Sequence, residues 1–254
     1  MRRVAAVLTV GATVVAVCSL SSAAPSKRRT ATKPGAVYRV PLRRSTASPS
    51  TSAPQLLTTV AEATGPWVGI FVAPGVTRPE RVLGNPQPSG APLVFLVQEQ
   101  QPEWLRVLLP VRPNGSAGWI RRADVKLYAH DYHILVELGA HRITVYRGTD
   151  VIDQESVGIG TRDTPTPGGL YYTKELLRPP NPNGPYGPFA YGLSGFSNVL
   201  SSFAGGDGVI GIHGTNDPTL LGRDVSHGCI RMTNAGITRL AHVLPLGVPV
   251  EIRA

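Results

Sequence analysis

What most limits the fold of this chain is its punctuation. Glycine (28) and proline (24) are abundant among 254 residues, and they cut the apolar stretches into strand-length pieces. Helix interiors tolerate neither residue well, whereas turns between strands call for both. Between residues 60 and 129 the apolar runs 67–72, 93–97, 104–109 and 118–120 alternate with Ala73-Pro74-Gly75, Asn85-Pro86, Pro88-Ser89-Gly90 and Arg112-Pro113-Asn114-Gly115. Asn114-Gly115 predicts a hairpin between the runs that flank it, since both residues accept positive φ. The pattern predicts a small all-β unit with Trp67, Trp104 and Trp119 as its core. The same indoles could instead form a platform for a sugar or a peptide.

Residues 130–254 carry a second domain. The β-prone runs 134–138 and 143–146 bracket Gly139-Ala140, as a hairpin requires. Residues 151–158 and 170–173 predict further strands, and 208–212 reads as a buried strand leading into His213. The segment from Arg178 to Gly192 is rich in Pro, Gly, Asn and Tyr and predicts a long irregular loop. Such loops often cover binding sites. Its aromatics Tyr186, Phe189 and Tyr191 are candidate lid residues, with Tyr191 expected to touch substrate. Farther on, Thr233 or Asn234 can cap a helix whose apolar face is Ile237, Leu240, Ala241 and Leu244. Pro245 and Gly247 end it, and 248–252 makes a last strand. The expected class is mostly β with one C-terminal helix.

The N-terminus reads as an export signal. Arg2 and Arg3 precede an uncharged apolar run from 4 to 20, and Ser22, Ala23 and Ala24 supply a small-residue cleavage site. The run is also long enough for an uncleaved anchor, the one way in which a membrane enters this reading. Residues 25–59 are basic and rich in Ser, Thr and Pro, a composition that buries too little apolar area to order itself; they predict a tether. The net charge of +9 favours polyanions such as an acidic wall polymer. Nucleic acid is not an expected partner, because it does not account for the export signal.

Only two cysteines occur, and Cys18 lies in the signal segment, so the exported chain would keep Cys229 unpaired. A lone thiol in such a chain is either inert filler or a reactive group. Cys229 sits in Ser226-His227-Gly228-Cys229-Ile230-Arg231, with His213 upstream. Either histidine could serve as a base toward the thiol. Gly228 allows a sharp turn, so that backbone N–H groups could converge as an oxyanion hole. Arg231 could grip a carboxylate through two parallel hydrogen bonds. Zinc could also use two histidines and a cysteine, but the spacing departs from common zinc motifs. A buried structural cysteine stays open on residues alone.

His213-Gly214-Thr215, and then Ser226 through Met232, resemble the signature of the L,D-transpeptidase (YkuD-type) catalytic domain family. The likeness covers roughly 132–252 and includes Thr164-Pro165-Thr166-Pro167-Gly168. Residues 60–129 more weakly resemble bacterial SH3-like modules. The chain thus divides into four expected segments: a signal peptide (1–24), a linker (25–59), an SH3-like module (60–129) and the catalytic domain (130–254). The family likeness carries further expectations. It implies acyl transfer on peptidoglycan stem peptides, giving 3→3 crosslinks, with no cofactor or metal. By the same resemblance Cys229 is the nucleophile and His213 the base. The backbone of His227, Gly228 and Cys229 is the oxyanion hole, Arg231 orients substrate, and carbapenem-type β-lactams are inhibitors. Some members place Ser after the base histidine; here it is Gly214, so a backbone carbonyl has to orient the ring, with Ser226 and Thr215 as alternatives. Two other readings stay open: an L,D-carboxypeptidase or exchange enzyme using the same acyl-enzyme, and a non-catalytic wall-binding protein.

Overall fold

The computed structural model describes residues 57–202 and 207–254, together with the backbone of a short strand at 36–37. The signal segment and nearly all of the tether lie outside the described residues. After β1 (Ala36–Val37), the first domain holds β2 (Thr58–Ala63), β3 (Trp67–Ile70), β4 (Arg81–Gly84), β5 (Val94–Gln100), β6 (Trp104–Leu108), β7 (Ala117–Arg121) and β8 (Val125–His130). The second holds β9 (Tyr132–Glu137), β10 (Arg142–Arg147), β11 (Asp150–Ser156), β12 (Ile159–Gly160), β13 (Gly169–Arg178) and β14 (Ala190–Phe196). It continues through β15 (Val209–His213), β16 (Asp224–Ser226), β17 (Ile230–Arg231), α1 (Asn234–Val243) and β18 (Pro249–Arg253). Among the described residues no helix is long and apolar enough to cross a membrane.

Five strands of the first domain form an antiparallel sheet in the order β7-β6-β5-β2-β8, beside the β3–β4 hairpin. Asn114-Gly115 does join β6 to β7, and Gly115 has φ +81°. The tryptophans, however, are not the core. Leu105, Val107 and Ile120 point inward with Phe95, Val68 and Ile70. Strand alternation therefore turns Trp104 and Trp119 to the other face, where register sets Trp104 across from Arg121 and Arg106 across from Trp119. Trp67 is 57% exposed.

The second domain holds a small parallel β12–β16 pair and a nine-stranded sheet, the main path of the latter running in the order β11-β10-β9-β18-β13-β14-β15-β17, with β1 paired to β13. Two contacts in the larger sheet are parallel, β9 with β18 and β15 with β17. Helix α1 lays Ile237, Leu240 and Ala241 against this sheet, in one core with Ile134, Val145, Ile212 and Ile230. Thr233 is its cap, accepting the Gly236 N–H at 2.9 Å; such a cap contributes about 1 kcal/mol. β13 and β14 run farther than the sequence predicts, so the irregular part of the 178–192 loop shrinks to 179–189.

The two sheets share a small core of Val60, Val94, Leu96 and Leu108 against Tyr172, with Leu246 alongside. The Tyr172 hydroxyl donates to Val94 O at 3.0 Å, so the buried ring keeps a polar partner. The Asn114 hairpin loop also docks here. Arg112 donates to the carbonyls of Ser197, Leu200 and Asp207, and Asn114 both donates to and accepts from the Phe196 backbone.

Candidate active site

Register places the chemistry. β15 and β17 pair in parallel with Ile212 opposite Ile230 and His213 opposite Arg231. Both isoleucines are fully buried on the core side. Alternation sends His213 and Arg231 to the opposite face. Two residues before each stand Gly211 and Cys229, so the thiol comes beside a position that has no side chain to crowd it. Met232 N–H bonds His213 O, and Arg231 exchanges two backbone bonds with Gly158, which fixes this short strand from both sides.

The turn before Cys229 is built by Ser226. Its buried hydroxyl donates to Cys229 O at 2.6 Å and accepts the Gly228 N–H at 3.1 Å. Gly228 has φ +113°, a conformation that side-chain-bearing residues rarely adopt. The Thr-Pro stretch braces the turn from behind: Thr161 N–H and the Thr164 hydroxyl both donate to Ser226 O. Ser226 is thus a structural clamp rather than a third member of the catalytic set. Gly228 N–H is engaged by the Ser226 hydroxyl.

His213 is 4% exposed, and its Nδ1 lies 2.6 Å from Gly214 O. A carbonyl only accepts, so Nδ1 carries the proton and Nε2 keeps its lone pair. Burial depresses the His213 pKa to about 4, as does the Arg231 charge; the Gly214 carbonyl pulls the other way. Burial pushes the half-buried Cys229 thiol up, opposed by a Gly211 backbone hydrogen bond and by Arg231. Both shifts favour the uncharged form, the thiol of Cys229 and the neutral imidazole of His213. His227, by contrast, has an exposed side chain.

Arg231 Nε is buried without a hydrogen-bond partner among the described residues. A donor in that state is costly unless a ligand satisfies it. Of the three candidate lid aromatics, Tyr186 alone meets His213. Its ring meets the His213 ring edge-on at 4.9 Å, and the charges of Cys229 and Arg231 both act on its hydroxyl. Tyr191 does not touch substrate: it is 1% exposed, and its hydroxyl donates to Leu240 O and Leu244 O inside the core. Phe189 is also a core residue. Tyr191, which the sequence places in an irregular loop, lies in β14, a strand buried on both faces from Tyr191 to Phe196. Asn234, for which the sequence suggests only a capping role, lies against Gly214 and accepts the Thr215 N–H at 2.9 Å. Among the described residues no cluster of three or more His, Cys, Asp or Glu could hold a metal.

A thiol, a buried imidazole of fixed tautomer and a cation with a spare donor are parts that acyl transfer can use. The L,D-transpeptidase catalytic domain family, YkuD, matches residues 131–252. The YkuD protein of Bacillus subtilis (strain 168), which bears the name of an L,D-transpeptidase, is 36% identical over 151 residues, 57% of this chain and 84% of its own length. Its namesake from Bacillus licheniformis is 37% identical over 121 residues, 48% of this chain and 65% of its own length. The chain belongs to this L,D-transpeptidase family. Among solved structures, an L,D-transpeptidase from Mycobacterium smegmatis gives a TM-score of 0.40 at 14% identity, covering 62% of this chain and 93% of that one. An L,D-transpeptidase in complex with imipenem gives 0.38 at 15% identity, covering 76% of this chain and 81% of that one.

Proposed function

We propose that this chain is an exported enzyme that links peptidoglycan stem peptides by 3→3 crosslinks through a thioester on Cys229. The observation that carries the reading is the His213 Nδ1–Gly214 O hydrogen bond, which leaves Nε2 as the proton acceptor. The sulfur attacks the carbonyl of the third stem residue while its proton passes to Nε2, and Cys229 N–H faces the developing oxyanion. The tetrahedral intermediate collapses, the C–N bond breaks, and His213 returns the proton to the leaving D-alanine. An amine on a D-centre of a second stem then attacks the thioester. His213 takes that amine's proton, and the thiolate leaves and is reprotonated.

Arg231 serves a substrate carboxylate, which satisfies its buried Nε. The first domain is an SH3-like spacer on a basic tether, and the leader is cleaved so that the enzyme works at the wall. A carbapenem acylates Cys229 by the same attack on its strained carbonyl. In the test, purified chain is incubated with muropeptides and the products are weighed by mass spectrometry. Crosslinked dimers are expected with the native chain and none with Cys229→Ala. Dimer formation by Cys229→Ala refutes the mechanism, and hydrolysed monomers alone in the presence of acceptor refute transpeptidation in favour of carboxypeptidation.

A further inference from the structure

Two hydrogen bonds meet on a single peptide group beside His213. Its carbonyl, Gly214 O, accepts His213 Nδ1–H at 2.6 Å; its amide, Thr215 N–H, donates to Asn234 Oδ1 at 2.9 Å. A peptide unit is planar, with C=O and N–H pointing in opposite directions, so fixing one end fixes the other. We propose that Asn234 is a positioning residue for His213 and stands in for the side chain that Gly214 lacks. The inference rests on His213 as the base.

Packing supports the assignment independently. A Cβ on Gly214 would run into Asn234 Oδ1, and so would one on Gly187. The two glycines and the amide therefore fill one another's space, and the absence of a side chain at 214 is what admits the asparagine oxygen. Gly187, at φ +64°, directly follows Tyr186, whose ring lies against His213. Asn234 thus contacts both the peptide that orients the imidazole and the loop that covers it. Its own backbone is held by α1: Thr233 does the capping, and Asn234 O accepts the Thr238 hydroxyl at 2.7 Å. Only two side-chain torsions separate that fixed backbone from Thr215, so little freedom is lost in making the bond. A bonded amide N–H also polarises its carbonyl and strengthens the bond to Nδ1–H.

The test uses the full chain with 15N-labelled histidine. NMR reads the His213 tautomer near neutral pH, and steady-state kinetics read kcat and KM. The native chain is expected to show protonated Nδ1 and bare Nε2. Asn234→Ala is expected to mix the tautomers and lower kcat roughly tenfold, with KM changed by less than about twofold. Asn234→Asp keeps an acceptor oxygen and is expected to restore the native tautomer. An Asn234→Ala chain that melts cooperatively and keeps the native tautomer overturns the proposal. So does a freely exchanging Thr215 amide in the unmodified chain, a measurement that stands even if Asn234→Ala does not fold. Failure of the underlying reading looks different: His213→Ala would then turn over normally.

Discussion

His130 provides a quantitative test of how the two domains are joined. It ends β8, its Nδ1 accepts the Tyr132 N–H at 3.2 Å, and its ring tilts against the Tyr132 ring at 6.0 Å. Burial depresses its pKa from 6.5 to about 4, against the opposing pull of the Gly247 backbone and the Asp131 carboxylate. The folded chain therefore resists a proton that the unfolded chain takes up below pH 6.5. Stability from this residue is full above pH 6.5 and is lost as pH falls toward 4. At pH 5 the unfolded imidazole has gained ~2 kcal/mol by protonation and the folded one almost nothing. His130→Asn keeps an acceptor for Tyr132 but cannot titrate. Urea melts of native chain and variant at pH 7.5 and pH 5 isolate the effect, because every other group is common to both. The native chain should lose ~2 kcal/mol more than the variant between the two pH values. Losses that agree within about 0.5 kcal/mol would refute the reasoning, whatever the variant's starting stability.

Arg112→Ala removes three hydrogen bonds to the 197–208 segment and the cation–π contact with Phe196. It should cost about 1–3 kcal/mol and open that segment to limited proteolysis, and an unchanged cleavage pattern would count against the docking role. The acid limb of alkylation at Cys229 by iodoacetamide should fall near pH 4 rather than near 6.5, because the His213 pKa is depressed to about 4. A limb near 6.5 would place the titrating base elsewhere.

Much of this protein is legible along the chain. Alternation and turn residues foretell the strands around Asn114-Gly115 and Gly139-Ala140, and the i, i+3, i+4, i+7 pattern foretells α1. Cys229, His213 and Arg231 stand out through local composition, while the orienting group for His213 stays open along the chain between a backbone carbonyl, Ser226 and Thr215. These are short-range properties, set by propensity, by φ and by one-dimensional spacing.

Other features are decided only by how strands pair. Alternation puts the tryptophans of the first domain on its other face, and the enclosure of β14 on both faces puts Tyr191 in the core. Residues far apart in sequence, Gly187, Gly214 and Asn234, come together only because the β13–β14 loop, the end of β15 and the start of α1 pack at one point. Likewise, Gly228 N–H is engaged by a hydroxyl whose orientation no sequence motif specifies. Sequence alone singled out the candidate groups. Tertiary structure decided which way they face and what holds them, because orientation depends on register and on contacts between segments that local sequence does not encode.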